Sequence, residues 1–365
     1  MSAPRPIHLV GSIPLEPAAA VFETVAQRLG TLVTRIPDGE QIGWSSAAKR
    51  SFDRHPMLEA SERVPLNAGG RDPVEIFRLK PGFKAEELEL GPYGYAENAL
   101  SSYAQFKRLR DAGIIPAGTR YQATLPGPGT SASCIKLPGE VVLPLARAAL
   151  WREARQIIAA IPAKDLTIQI DLGMEAEHEE YLRRPDAWDQ PMHNVFHWTQ
   201  AQMADSAAWL ANQIPPEVEL GFHICSIWHH DPSGGQDNAV LVDTANAVAS
   251  RLTRPVAYFH LPVIPKHRQE DYAPFKGLAL PPGTKVHLGV INVSDGLEGA
   301  KRRIGMAEKV LDEFGVANYC GLGRPPSARA MGPSSHANPI IPALRKATPQ
   351  TIGAVLDLHR AVAEA

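Results

Sequence analysis

The feature that most constrains this chain is an alternation repeated eight times, a short apolar run of strand-forming residues followed by a helical segment. The runs occupy 7–12, 32–36, 120–125, 166–171, 218–225, 256–263, 285–293 and 316–321. Helical spacing is plainest in Pro14 to Leu29, Glu97 to Ala112, Glu140 to Ile161 and Asn194 to Ile214. It returns in Leu241, Ala245, Val248, Ala249 and Leu252, in Ile304, Ala307, Leu311 and Phe314, and in Ile352, Val355, Leu356, His359 and Val362. Strands alternating with helices join as parallel neighbours, and eight of them close a barrel. A doubly wound open sheet competes, but no Gly-x-Gly-x-x-Gly follows the first run. The expected architecture is an α/β fold, one (β/α)8 TIM-barrel domain over residues 1–365. A long insertion follows the second strand, about 44–95. It is rich in Pro, Gly and charge with little periodicity, and reads as an elaborated loop or lid.

In such barrels the chemistry sits at the C-terminal ends of the strands. Ser12, Glu40, Asp171, His223, Cys225, His260, Ser294 and Cys320 all fall there. His223 and Cys225 are two apart on one strand, so both side chains face one point. Thiolate sulfur and imidazole nitrogen are the usual zinc donors, normally four in number, with one position open to substrate in catalytic sites. Cys320 ends another apolar run, and His260 closes Val256-Ala257-Tyr258-Phe259-His260. The expected metal ligands are therefore His223, Cys225, His260 and Cys320, with zinc as cofactor. The competing reading of each is a packed core residue, since buried histidines and reduced cysteines are common.

Composition narrows the partners. A net charge of -2 with 21% charged residues leaves no basic footprint for nucleic acid. No apolar run of about 18 residues occurs, and Met-Ser-Ala-Pro-Arg-Pro is no signal peptide, so a cytoplasmic protein acting on a small molecule is expected. Cys134, Cys225 and Cys320 are too few for a disulfide framework in 365 residues.

His223-x-Cys225 and Asn318-Tyr319-Cys320-Gly321-Leu322 resemble the zinc-binding strand ends of the cobalamin-independent methionine synthases, within the barrel superfamily shared with uroporphyrinogen decarboxylase. Further points of likeness are Val10-Gly11-Ser12 with Pro14, Asp38-Gly39-Glu40, Leu125-Pro126-Gly127-Pro128 and Gln169-Ile170-Asp171. The resemblance implies a barrel in which Ser12, Glu40 and Asp171 hold an amino acid substrate, homocysteine, whose sulfur zinc binds. Two positions depart from the family. His260 stands where a glutamate ligand is usual. Ser294 stands where a histidine donates or accepts a proton, with Asp295 and His287 as neighbouring candidates for that role. Ser294 and Asp295 are the catalytic residues the resemblance implies.

An imidazole in place of the carboxylate raises the formal charge of a two-thiolate zinc site from about -1 to about 0. The metal then acidifies a bound thiol or water more strongly, while the bound thiolate is a poorer nucleophile. The leading expectation is methyl transfer to a thiol from a folate or corrinoid-type donor. The alternative is a zinc-dependent lyase or hydrolase acting on a small, possibly aromatic, acid. A third is a metallo-binding protein with all four positions closed. Lesser candidates are His229, His230, Arg324 and His336 in loops, the acidic cluster Glu175, Glu177, His178, Glu179 and Glu180, and Cys134 as a core thiol.

Overall fold

The computed structural model describes residues 3–42, 46–64, 74–183, 198–225, 238–263, 268–322 and 347–365. In chain order the elements are β1 (Ile7–His8), α1 (Ala18–Leu29), β2 (Arg35–Pro37), α2 (Ser46–Asp53), β3 (Leu58–Val64), β4 (Val74–Leu79) and α3 (Tyr95–Asp111). There follow β5 (Arg120–Pro126), α4 (Pro128–Ala132), α5 (Gly139–Ala160), β6 (Leu166–Leu172), α6 (Met174–Arg183), α7 (Gln200–Gln213) and β7 (Glu219–Ile224). The rest are α8 (Asn238–Ala249), β8 (Tyr258–Leu261), β9 (Lys285–Ile291), α9 (Gly296–Ala307), β10 (Gly315–Asn318) and α10 (Pro349–Ala363).

Eight strands form one sheet in the order β1-β10-β9-β8-β7-β6-β5-β2, with every pairing parallel. Isolated parallel bridges, Ile7 with Val33 and Ser12 with Gly39, bring the first and last strands of that order together. This is a (β/α)8 TIM barrel. The segment after β2 is more regular than its composition suggests. It holds α2 and an antiparallel hairpin of β3 with β4, which a bridge from Phe77 to Ile135 ties to the barrel.

The two-residue alternation of each strand sorts its side chains. On β6, Ile168, Ile170 and Leu172 join the apolar core, while Thr167, Gln169 and Asp171 take the other face. All seven residues of β6 are buried, as befits a parallel strand covered on both faces. Helices close the outer layer with apolar faces such as Val21, Phe22, Val25 and Leu29 of α1, all buried. Thr199 and Thr348 cap α7 and α10, each hydroxyl accepting a backbone N–H from the first turn.

The inside of the barrel is polar. Arg35 at its base pairs with Glu219 at 3.0 Å and lies 4.3 Å above the Tyr258 ring. Tyr258 Oη donates to Gln169 Oε1 at 2.9 Å, and the Gln122 amide donates to the same oxygen at 3.3 Å. His8, His260 and His287 pack around these groups, with ring centroids 5.5 Å apart for His8 and His260 and 5.1 Å for His8 and His287. Among the described residues, no helix is long and apolar enough to cross a membrane.

Candidate metal centre

Parallel register brings the site together. Asp171 on β6 lies beside His223 on β7, which lies beside His260 on β8. Beyond the end of β7, Cys225 N–H still donates to Leu172 O at 3.0 Å, so the strand direction holds for one more inward position. Cys320 arrives from the turn after β10, where the Asn318 side-chain amide donates to Cys320 O at 3.0 Å. Gly321, next in sequence, backs onto the first strand. A β-carbon there would stand 2.6 Å from Ser12 Cβ, so only glycine lets the two strand ends approach this closely.

The ligand atoms of His223, Cys225 and Cys320 all lie within 4.8 Å of one another, and all three residues are buried. The sulfurs of Cys225 and Cys320 are 3.8 Å apart, and Cys320 Sγ is 3.9 Å from His223 Nε2. Bond lengths of about 2.3 Å to sulfur and about 2.0 Å to nitrogen place tetrahedral zinc ligands about 3.8 Å apart for two sulfurs and about 3.5 Å for sulfur and nitrogen. The sulfur–sulfur edge matches that geometry, the Cys320–His223 edge is a few tenths of an ångström longer, and all three ligand atoms stay within 4.8 Å, so these side chains could hold a metal ion after a small closing movement. A sulfur separation of 3.8 Å also lies far beyond the ~2 Å of a disulfide bond.

His260, expected as the fourth ligand, does not join this cluster. Its ring lies behind His223, and the two Nδ1 atoms are 2.7 Å apart. Its Nε2 is buried. Burial, reinforced by the neighbouring His223 and His287, holds the His260 ring well below the ordinary imidazole pKa. His287, the register partner of His260 on β9, is pushed to about 3, chiefly by burial.

The expected substrate residues fall in two places. Asp171 stands in register with His223, and its Oδ1 accepts from Gln169 Nε2 at 2.8 Å. Because Tyr258 and Gln122 donate to Gln169 Oε1, the amide nitrogen is turned toward Val10 O and Asp171 Oδ1 and donates to both. Ser12 and Glu40 line a cleft of about 500 Å³ between the ends of the first two strands, with Ile13, Leu15 and Gln41. Glu40 has a left-handed backbone, φ 57°, which its N–H supports by donating to Asp38 Oδ1 at 2.8 Å.

The expected catalytic pair is engaged elsewhere. Ser294 turns back on Asn292, its N–H and hydroxyl both donating to Asn292 Oδ1, at 3.0 and 2.9 Å. Asp295 precedes α9 and receives both terminal nitrogens of the buried Arg303. Glu175, in the first turn of α6, holds α4, accepting from Gly129 N and Thr130 Oγ1. Cys134 is buried, and burial pushes its thiol pKa up. His229, His230, Arg324 and His336 lie outside the described residues. Sequence reasoning missed His8, Gln122 and Tyr258. Strand alternation carried the signal for all three, each sharing an inward face with a residue already singled out or its barrel neighbour.

No family model and no curated protein matches the chain. Among solved structures it is similar to a Listeria monocytogenes protein provisionally named a vitamin-B12-independent methionine synthase. The two share 12% identity, the match covers 98% of each chain, and the TM-score is 0.55. At that identity the likeness is one of fold.

Proposed function

We propose that this barrel is a zinc-dependent, methyltransferase-like enzyme that moves a methyl group from a folate or corrinoid-type donor to a thiol such as homocysteine. One observation carries the reading. Two cysteines and a histidine from distant strands converge at the barrel's C-terminal mouth with separations that suit tetrahedral zinc. Three protein donors leave a fourth position for substrate. Zinc bound there would supply a Lewis acid that lowers the pKa of a coordinated thiol.

The chain's own residues supply recognition. Asp171, oriented by the Gln169 amide, would accept hydrogen bonds from the substrate's ammonium group beside His223. Glu40 adds a second carboxylate, and Ser12 a hydroxyl, from the neighbouring cleft. Ile13 and Leu15 give that cleft an apolar side. The name carried by the Listeria protein agrees with this reading.

The donor set also favours the second reading to a degree. Two thiolates and a neutral imidazole give the site a formal charge of about 0, which suits activation of water or a carbonyl as well as of a thiol. A lyase or hydrolase acting on a small, possibly aromatic, acid would use the same mouth.

Calorimetric titration of the zinc-loaded protein with homocysteine, and with an uncharged thiol of similar size, separates the two. Methyl transfer requires tighter binding of homocysteine, weakened at least tenfold by Asp171→Asn or Glu40→Gln. Equal binding of both thiols, unchanged in either variant, would remove the amino acid substrate and leave the second reading.

A further inference from the structure

An imidazole can hold a metal only through a nitrogen that carries no proton, so the tautomer of His223 decides whether the cluster can form. Of its two nitrogens, Nε2 is the one 3.9 Å from Cys320 Sγ, and Nδ1 is the one 2.7 Å from His260 Nδ1. One proton is shared between those two Nδ1 atoms, and its location sets both rings. If it sits on His260, His223 must carry its own proton on Nε2, aimed at the sulfurs, and the metal position is blocked. If it sits on His223, Nε2 presents a lone pair to the cysteines, and His260 is the Nε2–H tautomer.

We infer that His260 is a positioning residue: its Nδ1 lone pair accepts the Nδ1–H of His223, fixing the His223 ring and the tautomer that binds metal. This inference rests on the zinc reading above. The fold makes the contact rigid, since His223 and His260 are paired residues on neighbouring strands and both are fully buried. An acceptor of this kind usually is a carboxylate or a backbone carbonyl. A neutral ring in that place orients His223 without adding negative charge, so the site keeps its formal charge of about 0.

The test uses the full chain, loaded with zinc, and three forms of position 260. X-ray absorption of the wild type should show two sulfur ligands and one imidazole. His260→Leu, which removes the acceptor, should weaken zinc binding by roughly 10–100-fold in chelator competition while leaving that ligand set unchanged. His260→Asn places an amide oxygen near the position of Nδ1 and should recover affinity to within a few-fold of wild type. Two imidazoles in the wild-type spectrum, or equal zinc affinity in His260→Leu and wild type, would overturn the inference while leaving the zinc centre standing. The wild-type spectrum decides the point even where the leucine variant does not fold. Wild-type protein that binds no zinc would instead overturn the zinc reading, and this inference with it.

Discussion

Arg303 and Asp295 meet through two parallel hydrogen bonds, Nη1 to Oδ2 and Nη2 to Oδ1, each 2.7 Å long. The Arg303 side chain is only 2% exposed, and its Nε donates to Val290 O at 2.7 Å, so the guanidinium clamps α9 onto the end of β9. Removing the carboxylate leaves a buried cation without its counter-ion. Breaking such a pair costs about 3–5 kcal/mol. Asp295→Ala should therefore lower the free energy of unfolding, measured by urea denaturation, by an amount of that order, with zinc content and turnover per folded molecule retained. A variant of wild-type stability with turnover reduced a hundredfold would return Asp295 to the chemistry.

Gly221 tests how tightly the polar interior is packed. A β-carbon at this position would stand 2.0 Å from the Tyr258 ring, which crosses in front of β7 with its hydroxyl on Gln169. The ring is fully buried and stacked by Arg35, so it has little room to give. Gly221→Ala is expected to destabilise the fold by about 1–3 kcal/mol, as overpacking does. Loss of the Tyr258 to Gln169 bond would also release the amide that faces Asp171. Thermal denaturation measures the first effect, and weaker homocysteine binding the second; a melting temperature equal to wild type would refute the packing argument.

The three cysteines should separate by function. Cys225→Ser and Cys320→Ser should each lose the roughly one zinc per chain expected of wild type, because oxygen replaces a thiolate in the cluster. Cys134→Ser should keep it, and Cys134 should resist thiol reagents at neutral pH until the chain unfolds, its thiol being buried and raised in pKa. Elemental analysis of protein purified without added metal gives the first result. Equal zinc in all three variants would sink the cluster as a metal site.

The barrel and the gathering of His223, Cys225 and Cys320 were legible in the sequence because both depend on strand periodicity. Position i and i+2 fix His223 with Cys225, and strand order fixes which strand ends share a mouth. His260 shows where that reasoning stops. It sits on the correct strand and the correct face, but register pairs it with His223 rather than with Cys225, one level below the sulfurs. Register between strands 37 positions apart is a tertiary property that no local pattern encodes. The same holds for Asp295, whose place after a strand end does not reveal its pairing with Arg303. The hairpin of β3 and β4 was obscured because charged residues such as Glu59, Glu62, Arg63, Glu75 and Arg78 interrupt its apolar ones, and it forms a two-stranded ribbon outside the barrel sheet.

Acid stability depends on a histidine remote in sequence from the cluster. His359 lies in α10, fully buried, with Nδ1 donating to Val355 O at 2.8 Å and Nε2 having no partner among the described residues. Burial lowers its pKa to about 4. The unfolded ring titrates near its ordinary value of about 6.5, so between these limits the unfolded chain binds more protons than the folded one. Stability from this group is therefore complete above about pH 6.5 and is lost as pH falls toward about 4. With those two values, acidification from pH 7.5 to 5.5 removes roughly 1.4 kcal/mol. His8, His260 and His287 are lowered in the same direction, so wild type should weaken more than this single ring implies. His359→Gln lacks the titrating group. Urea denaturation at the two pH values should show its acid-induced loss to be smaller than that of wild type by about the same amount, roughly 1.4 kcal/mol. An identical loss in both proteins would mean that His359 is charged within the folded helix, and its burial against the barrel would then have to be abandoned as the cause.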